Sequence, residues 1–165
     1  MKSITNTIIQ ILIVLMLPIT VGAVENTISI SSIHASVGEN ITFQIYAKSV
    51  TNIAGVQANL DFDPTIIKVI SVTQGNLFDP YPAFVGFGTI DNKNGTVNNM
   101  YSMILGANSI KTNGIFINIQ AIALKKGKSS LILNKTLFDL PDGSVFVPKI
   151  QNGDIKVNSK GDKIK

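Results

Sequence analysis

Alternation of apolar and polar residues is the feature that most constrains the fold of this chain. Ile, Phe and Ala alternate with polar residues from Ile41 to Lys48, and a second alternating stretch runs from Val56 to Phe62. A period of two places the apolar side chains on one face of an extended strand. Beyond residue 23 the sequence shows no long stripe with helical spacing, so it predicts an all-β protein.

Turn signals divide the alternating stretches into about nine short strands. The segment Val37–Asn40 combines Gly and Asn, which favour turns, and Asp91–Gly95 has the composition of a hairpin turn. Pro64 ends another strand, because proline cannot donate a hydrogen bond to a neighbouring strand. Short strands at regular spacing are typical of a β-sandwich, and the sequence contains no internal repeat that would indicate a solenoid or propeller.

The first 23 residues differ from the rest of the chain. Lys2 precedes an apolar run from Ile8 to Leu17, and small residues end the segment at Ala23. This pattern predicts a secretory signal peptide, residues 1–23, followed by a domain, residues 24–157, and a flexible basic tail, residues 158–165. The alternative is an uncleaved membrane anchor, although about ten apolar residues fall short of the roughly 20 that span a bilayer. We therefore expect a secreted or cell-surface protein, associated with the membrane only if the segment stays uncleaved.

The formal net charge of +4 does not belong to the predicted domain. Residues 24–155 contain nine Lys and nine acidic residues, so the excess lies in the leader, in Lys156 at the end of the domain and in the tail. The chain also has no Arg, the residue best suited to bidentate contacts with phosphate and guanine. A nucleic-acid partner is therefore not expected.

The sequence provides no recognisable catalytic or metal-binding constellation. It has no Cys and a single His, His34, with no motif around it. Asp61 and Asp63 lie two residues apart and could form a carboxylate pair, but Asp63 precedes a proline and is interpreted as a turn cap. Asp139–Gly143 resembles a fragment of a calcium loop without the remaining ligands. We expect no enzymatic activity, no catalytic residue, no metal site and no cofactor.

Three N-glycosylation acceptor patterns occur, at Asn40, Asn94 and Asn134. A secreted chain would expose them to the modifying machinery. Asn94 is the best candidate because it lies in a predicted turn.

Several motifs, taken in order, resemble those of a cohesin domain. The resemblance covers roughly residues 27–157. It rests on Val37–Phe43, Asn52–Gln57, Leu60–Pro64, Val69–Val72, Gly75, Asn113–Phe116, Asp142–Gly143 and Asn152–Val157.

The resemblance implies a nine-stranded jelly-roll sandwich that binds a dockerin module on another protein, with calcium in the dockerin and not in the cohesin. It also implies that the third, fifth, sixth and eighth strands form the contact sheet. On the third strand the polar face is Gln57, Asn59 and Asp61. On the sixth strand we expect contacts from Asn98, Met100 and Ser102, and core positions for Val97, Tyr101, Met103 and Leu105.

Two other functions stay open from the sequence. The first is direct binding of a polysaccharide, which secreted β-sandwiches often perform on exposed aromatic rings. The chain has no Trp, and its three Tyr are Tyr46, Tyr81 and Tyr101. The second is a structural or adhesive cell-surface domain held by an uncleaved N-terminal helix. A link to polysaccharide degradation or cell-surface assembly is expected from the family resemblance.

Overall fold

Twelve β-strands and no helix make up the part of the chain that the computed structural model describes, residues 25–49, 51–79, 81–106 and 108–160. The predicted signal peptide and residues 161–165 lie outside these described residues, and within them no helix is long and apolar enough to cross a bilayer. The strands are β1 (Thr27–Ile30), β2 (Ile33–Ser36), β3 (Asn40–Lys48), β4 (Gly55–Asp61), β5 (Ile67–Gln74), β6 (Ala83–Asp91), β7 (Thr96–Ile104), β8 (Asn113–Ala123), β9 (Gly127–Asp139), β10 (Val145–Phe146), β11 (Lys149–Gln151) and β12 (Gly153–Asn158).

The strands form two sheets that face each other as a β-sandwich, which confirms the predicted fold class. One sheet has the order β11-β1-β3-β8-β5, and the other has the order β2-β12-β9-β4-β7-β6, with β10 attached to β9. The pairs β1–β11 and β2–β12 are parallel, whereas the other strand pairs are antiparallel.

Twelve strands appear where nine were predicted because the first and last predicted strands are divided. The chain leaves one sheet at Ser31 and Ser32 and enters the other, so β1 and β2 belong to different sheets. The last predicted strand is divided in the same way into β10, β11 and β12. The seven predicted strands between them each correspond to one observed strand.

The core lies between the two sheets and follows the alternation seen in the sequence. Along β3 every second residue is buried, from Ile41 to Ala47, while the residues between them are exposed. The largest fully buried side chains include Phe43, Phe116 and Phe138. Each fully buried apolar side chain of this size stabilises the fold by about 1.5–3 kcal/mol. The core fixes which face of each sheet is left for recognition.

Phe116→Ala should lower the free energy of unfolding by about 3–5 kcal/mol, because Phe116 is 1% exposed and its removal leaves a cavity. Phe87→Ala is the matched control, since Phe87 is 48% exposed on the edge strand β6. It should change stability by less than about 1 kcal/mol. Urea unfolding of both variants measures the difference. Equal losses would contradict the assignment of the core.

Candidate functional site

Four neighbouring strands, in the order β9-β4-β7-β6, present a broad face that points away from the core. They correspond to the eighth, third, sixth and fifth predicted strands. On β4, Gln57, Asn59 and Asp61 belong to this face, because the apolar residues that alternate with them are at most 1% exposed. We call the face formed by these four strands the outer face.

A β-bulge interrupts β7 next to the middle of β4. Asn98 and Asn99 together lie opposite Asn59, so β7 contributes one additional residue at this point. Asn99 has a φ of 61°, a left-handed conformation that Asn tolerates better than most residues. The Asn59 side chain holds the bulge: its Oδ1 accepts the Asn99 N–H at 2.8 Å, and its Nδ2 donates to Asn98 Oδ1 at 3.0 Å.

A second bulge lies on the other side of β4, in β9. Lys135 and Thr136 together fall opposite Ala58, and Lys135 has a φ of 46°. The register therefore shifts on both sides of β4 within two residues. The Thr136 hydroxyl is buried and has no hydrogen-bond partner in the part of the chain described here.

The bulge in β7 overturns the face predicted for the sixth strand. Met100 is 0% exposed and Ser102 is 3% exposed, so both face the core, whereas Met103 and Leu105 are exposed. The prediction assumed unbroken alternation from Val97 onward. One additional residue exchanges the two faces of a strand beyond it. The surface placement of Met100 and Ser102 was therefore wrong.

The other predicted contact residues do lie on the outer face, in different environments. Gln57 is half-buried, and its amide makes no side-chain hydrogen bond among the described residues. Asp61 Oδ2 accepts a hydrogen bond of 2.8 Å from Asn134 Nδ2. Asn59 is only 5% exposed, and Asn98 donates to Thr96 Oγ1 in addition to its contact with Asn59. Their roles in binding remain a prediction.

Exposed apolar side chains form a patch at one end of the outer face, which the sequence analysis missed. The patch consists of the exposed Phe84, Met103 and Leu105 together with Tyr101, which is half-buried and lies on the outer face instead of in the core. The rings of Phe84 and Tyr101 lie 5.7 Å apart, and the Tyr101 ring covers Gly86, where a Cβ would collide with it. A contiguous group of exposed apolar side chains is typical of a surface that binds a partner.

A carboxylate borders this apolar patch. Asp139 lies beside Gly55 on β4, and Gly55 in turn pairs with Met103 on β7. A Cβ at position 55 would collide with the carboxylate, so glycine lets Asp139 lie against the sheet. Burial raises the pKa of Asp139 above its ordinary value. In the described residues no ion pair involves this carboxylate.

The two bulges open a depression at the centre of the outer face. It has a volume of about 250 Å³. Its lining is mostly polar and consists of Gln57, Asn59, Asn99, Met100, Tyr101 and Lys135. We call it the central depression.

The three predicted glycosylation acceptors differ in accessibility. Asn40 and Asn94 are exposed, although the Asn94 amide donates to Asp91 Oδ2 at 2.7 Å. Asn134 is half-buried on the outer face, where its amide is bonded to Asp61. Their modification remains a prediction.

Metal ligands are not clustered in the part of the chain that the structure covers. No group of three or more His, Cys, Asp or Glu residues within the described ranges is placed to hold an ion. In the segment Asp139–Gly143, Asp142 has the role of a turn residue, because its Oδ1 accepts hydrogen bonds from the backbone N–H and the hydroxyl of Ser144. Asp139 does not take part in these hydrogen bonds.

Sequence comparison assigns the family. The sequence model of the cohesin domain matches residues 26–157. The chain belongs to the cohesin family. No curated protein matches the sequence of this cohesin.

Solved structures similar to this cohesin share its fold. A non-cellulosomal cohesin from the hyperthermophilic archaeon Archaeoglobus fulgidus is 17% identical, with a TM-score of 0.64 over 84% of this chain and 94% of its own. A chain of the type I cohesin–dockerin complex of OlpA from Clostridium thermocellum is 18% identical, with a TM-score of 0.68 over 82% of this chain and 100% of its own. A type II cohesin domain from the cellulosome of Acetivibrio cellulolyticus is 18% identical, with a TM-score of 0.65 over 80% and 95%.

Asn59→Ala should lower the free energy of unfolding by about 1–3 kcal/mol, because the Asn99 N–H and the Asn98 amide would lose their common partner, which is buried. Gln57→Ala is the control on the same strand and should change stability by less than about 0.5 kcal/mol. Urea unfolding measures both values. Two equal and small effects would show that Asn59 does not hold the bulge.

Proposed function

We propose that this cohesin is a secreted, non-catalytic module that binds a dockerin-bearing protein through its outer face. The observation that carries the proposal is the apolar patch of Phe84, Tyr101, Met103 and Leu105. It lies beside the polar row of β4, which consists of Gln57, Asn59 and Asp61. Exposed apolar side chains with polar groups beside them are the usual anatomy of a protein interface. Similar solved structures include type I cohesin–dockerin complexes, which supports the choice of partner.

The apolar patch and the polar row have different tasks in this proposal. Burial of the patch against the partner supplies most of the affinity, because aromatic and large apolar side chains dominate binding energy in the desolvated part of an interface. Gln57 has an unoccupied amide, and Asp61 keeps one carboxylate oxygen free of the side-chain hydrogen bonds seen here. These two groups fix the orientation of the partner. In this proposal calcium belongs to the dockerin and not to the cohesin.

Association depends on short-range contacts and not on a long-range field. Residues 24–155 carry equal numbers of basic and acidic residues. A neutral domain gains little from electrostatic steering, so its partner must be selected by shape and local hydrogen bonding.

The proposed location is outside the cell or at its surface. The predicted signal peptide supports it, and the family resemblance supports a connection with polysaccharide degradation or surface assembly. A glycan at Asn134 would oppose docking, since that residue lies on the outer face beside Asp61.

Binding should be measurable with purified dockerin modules encoded in the same genome, and chelation of calcium should abolish it. Asp61→Ala should weaken binding by about 1–3 kcal/mol, because a bound donor would lose its acceptor. The control is Asp79→Ala, which removes an exposed carboxylate in the loop between β5 and β6. Isothermal titration calorimetry with and without EDTA gives both results.

Two outcomes would argue against this proposal. The first is a complete lack of affinity for every dockerin in the panel. The second is binding that is unaffected by EDTA, since the proposed partner is a calcium-loaded dockerin.

Direct polysaccharide binding is a second candidate, favoured by the opposite face of the sandwich. There the exposed Tyr46 follows Gln44 on β3, and Gln44 Nε2 donates to Asn118 Oδ1 at 3.0 Å. A second polar pair, Ser71 with Gln120, continues this row. An exposed tyrosine offers an apolar ring on which a sugar could stack, and amides beside it can exchange hydrogen bonds with sugar hydroxyls.

Affinity electrophoresis through soluble polysaccharides tests this second candidate. Retardation of the wild-type protein that disappears in Tyr46→Ala, with Tyr81→Ala unchanged, would support sugar binding on this face. Unaltered mobility in every polysaccharide would remove the candidate and leave the dockerin proposal as it stands.

A further inference from the structure

The central depression carries one charge, and that charge is positive. Lys135 is the only charged side chain among its described lining residues. Its ammonium group forms no ion pair in the described parts of the chain, where the two salt bridges use other lysines. An unpaired cation at the rim of a partly enclosed polar site is suited to an anionic group.

The remaining lining residues supply hydrogen-bond donors that the protein itself leaves unused. Within the described residues, the side chains of Gln57, Asn99 and Tyr101 form no hydrogen bonds. Asn59 differs, because its amide is engaged in holding the bulge. The depression is therefore lined by a lysine, by two amide side chains that have no partner among the described residues, and by a tyrosine, with no carboxylate in its lining.

The backbone holds these groups in place at some conformational cost. Lys135 and Asn99 have φ values of 46° and 61°, in the left-handed region that costs a non-glycine residue about 1–2 kcal/mol. They belong to strands on either side of β4, so the two bulges face each other across roughly 10 Å, twice the spacing between strands. Strained residues that converge on one depression are typical of a binding site.

We propose that the central depression binds an acidic side chain of the docked partner, with Lys135 as its charge partner and the amides of Gln57 and Asn99 as donors. The inference rests on the proposed docking of a dockerin and names the chemistry of one contact in it. A short Asp or Glu side chain fits a depression of about 250 Å³, and its carboxylate can accept several donors at once.

The position of the depression gives this contact a role in orientation. Along β4 it lies between Asp61 at one end and Gly55, which adjoins Asp139, at the other. A partner docked in the wrong orientation would place its acidic side chain beside one of these carboxylates. Like charges in contact are unfavourable, so Lys135 selects one orientation of the partner.

Charge reversal at Lys135 tests the inference with a dockerin that binds the wild-type protein. Lys135→Glu should raise Kd by about 10- to 100-fold at low salt, and the loss should shrink as salt is raised. Lys135→Met keeps the apolar stem and should show a smaller loss. Lys68→Glu makes the same change of net charge on the other sheet and should leave Kd within about twofold. Both variants of Lys135 keep a Cβ, so the positive φ at position 135 remains equally unfavourable, and thermal unfolding checks that all three variants are folded.

The partner side of the contact is tested by replacing each exposed acidic residue of the dockerin with Lys, one at a time. One of these dockerin variants should lose affinity for the wild-type cohesin and regain it with Lys135→Glu. If Lys135→Glu binds as the wild type does, or if no replacement is coupled to position 135, the inference is overturned while docking stands. If no dockerin binds the wild-type protein, the proposed function and this inference fail together.

Discussion

The outer face is shaped by one buried amide. Asn59 lies at the centre of a six-strand row, and its side chain bonds the backbone of Asn99 and the side chain of Asn98. Without these bonds the additional residue of β7 would leave polar backbone groups without partners, which is costly in a sheet. The amide therefore stabilises the bulge, and the bulge determines which side chains of β7 reach the surface. Asn59 was predicted to contact the partner, whereas in the structure it holds the bulge that determines which other side chains are exposed on the outer face.

The fold could be predicted from the sequence because its determinants are local and periodic. The alternation along β3 gives the buried set directly, and Gly, Asn and Pro mark the turns. The division of the first strand was not predicted, although the buried positions shift by one residue, from Ile28 and Ile30 in β1 to Ala35 in β2. The stretches on either side are too short for such a shift to indicate a change of sheet. The candidate site was even harder to predict from the sequence than the division of the strands. Its β7 face depends on a bulge, and the only signal for it is the pair Asn98 and Asn99, since Asn adopts positive φ more readily than most residues.

Nothing in the sequence marked Lys135, and Asp139 stood out only as part of a calcium-loop fragment, which is not the role that the structure gives it. Both lie on β9, where they are ordinary charged residues in an alternating strand. Their significance comes from neighbours distant in sequence: the bulge opposite Ala58 for Lys135, and the bare backbone of Gly55 for Asp139. Charge on the outer face is therefore a product of tertiary structure. A nearly neutral domain can still carry a local pattern of opposite charges, and such a pattern acts mainly at short range.

The parallel pairs at the edges of the two sheets have a mechanical consequence. β1 runs beside β11 and β2 beside β12 in the same direction, so the described chain enters at the Thr27 end of the sandwich and leaves at the opposite end, near Asn158. A pull on the two ends would load the hydrogen bonds of these pairs together, in shear, and would not open them one at a time. The outer face lies along the side of this axis, so a partner could remain attached while tension passes through the domain.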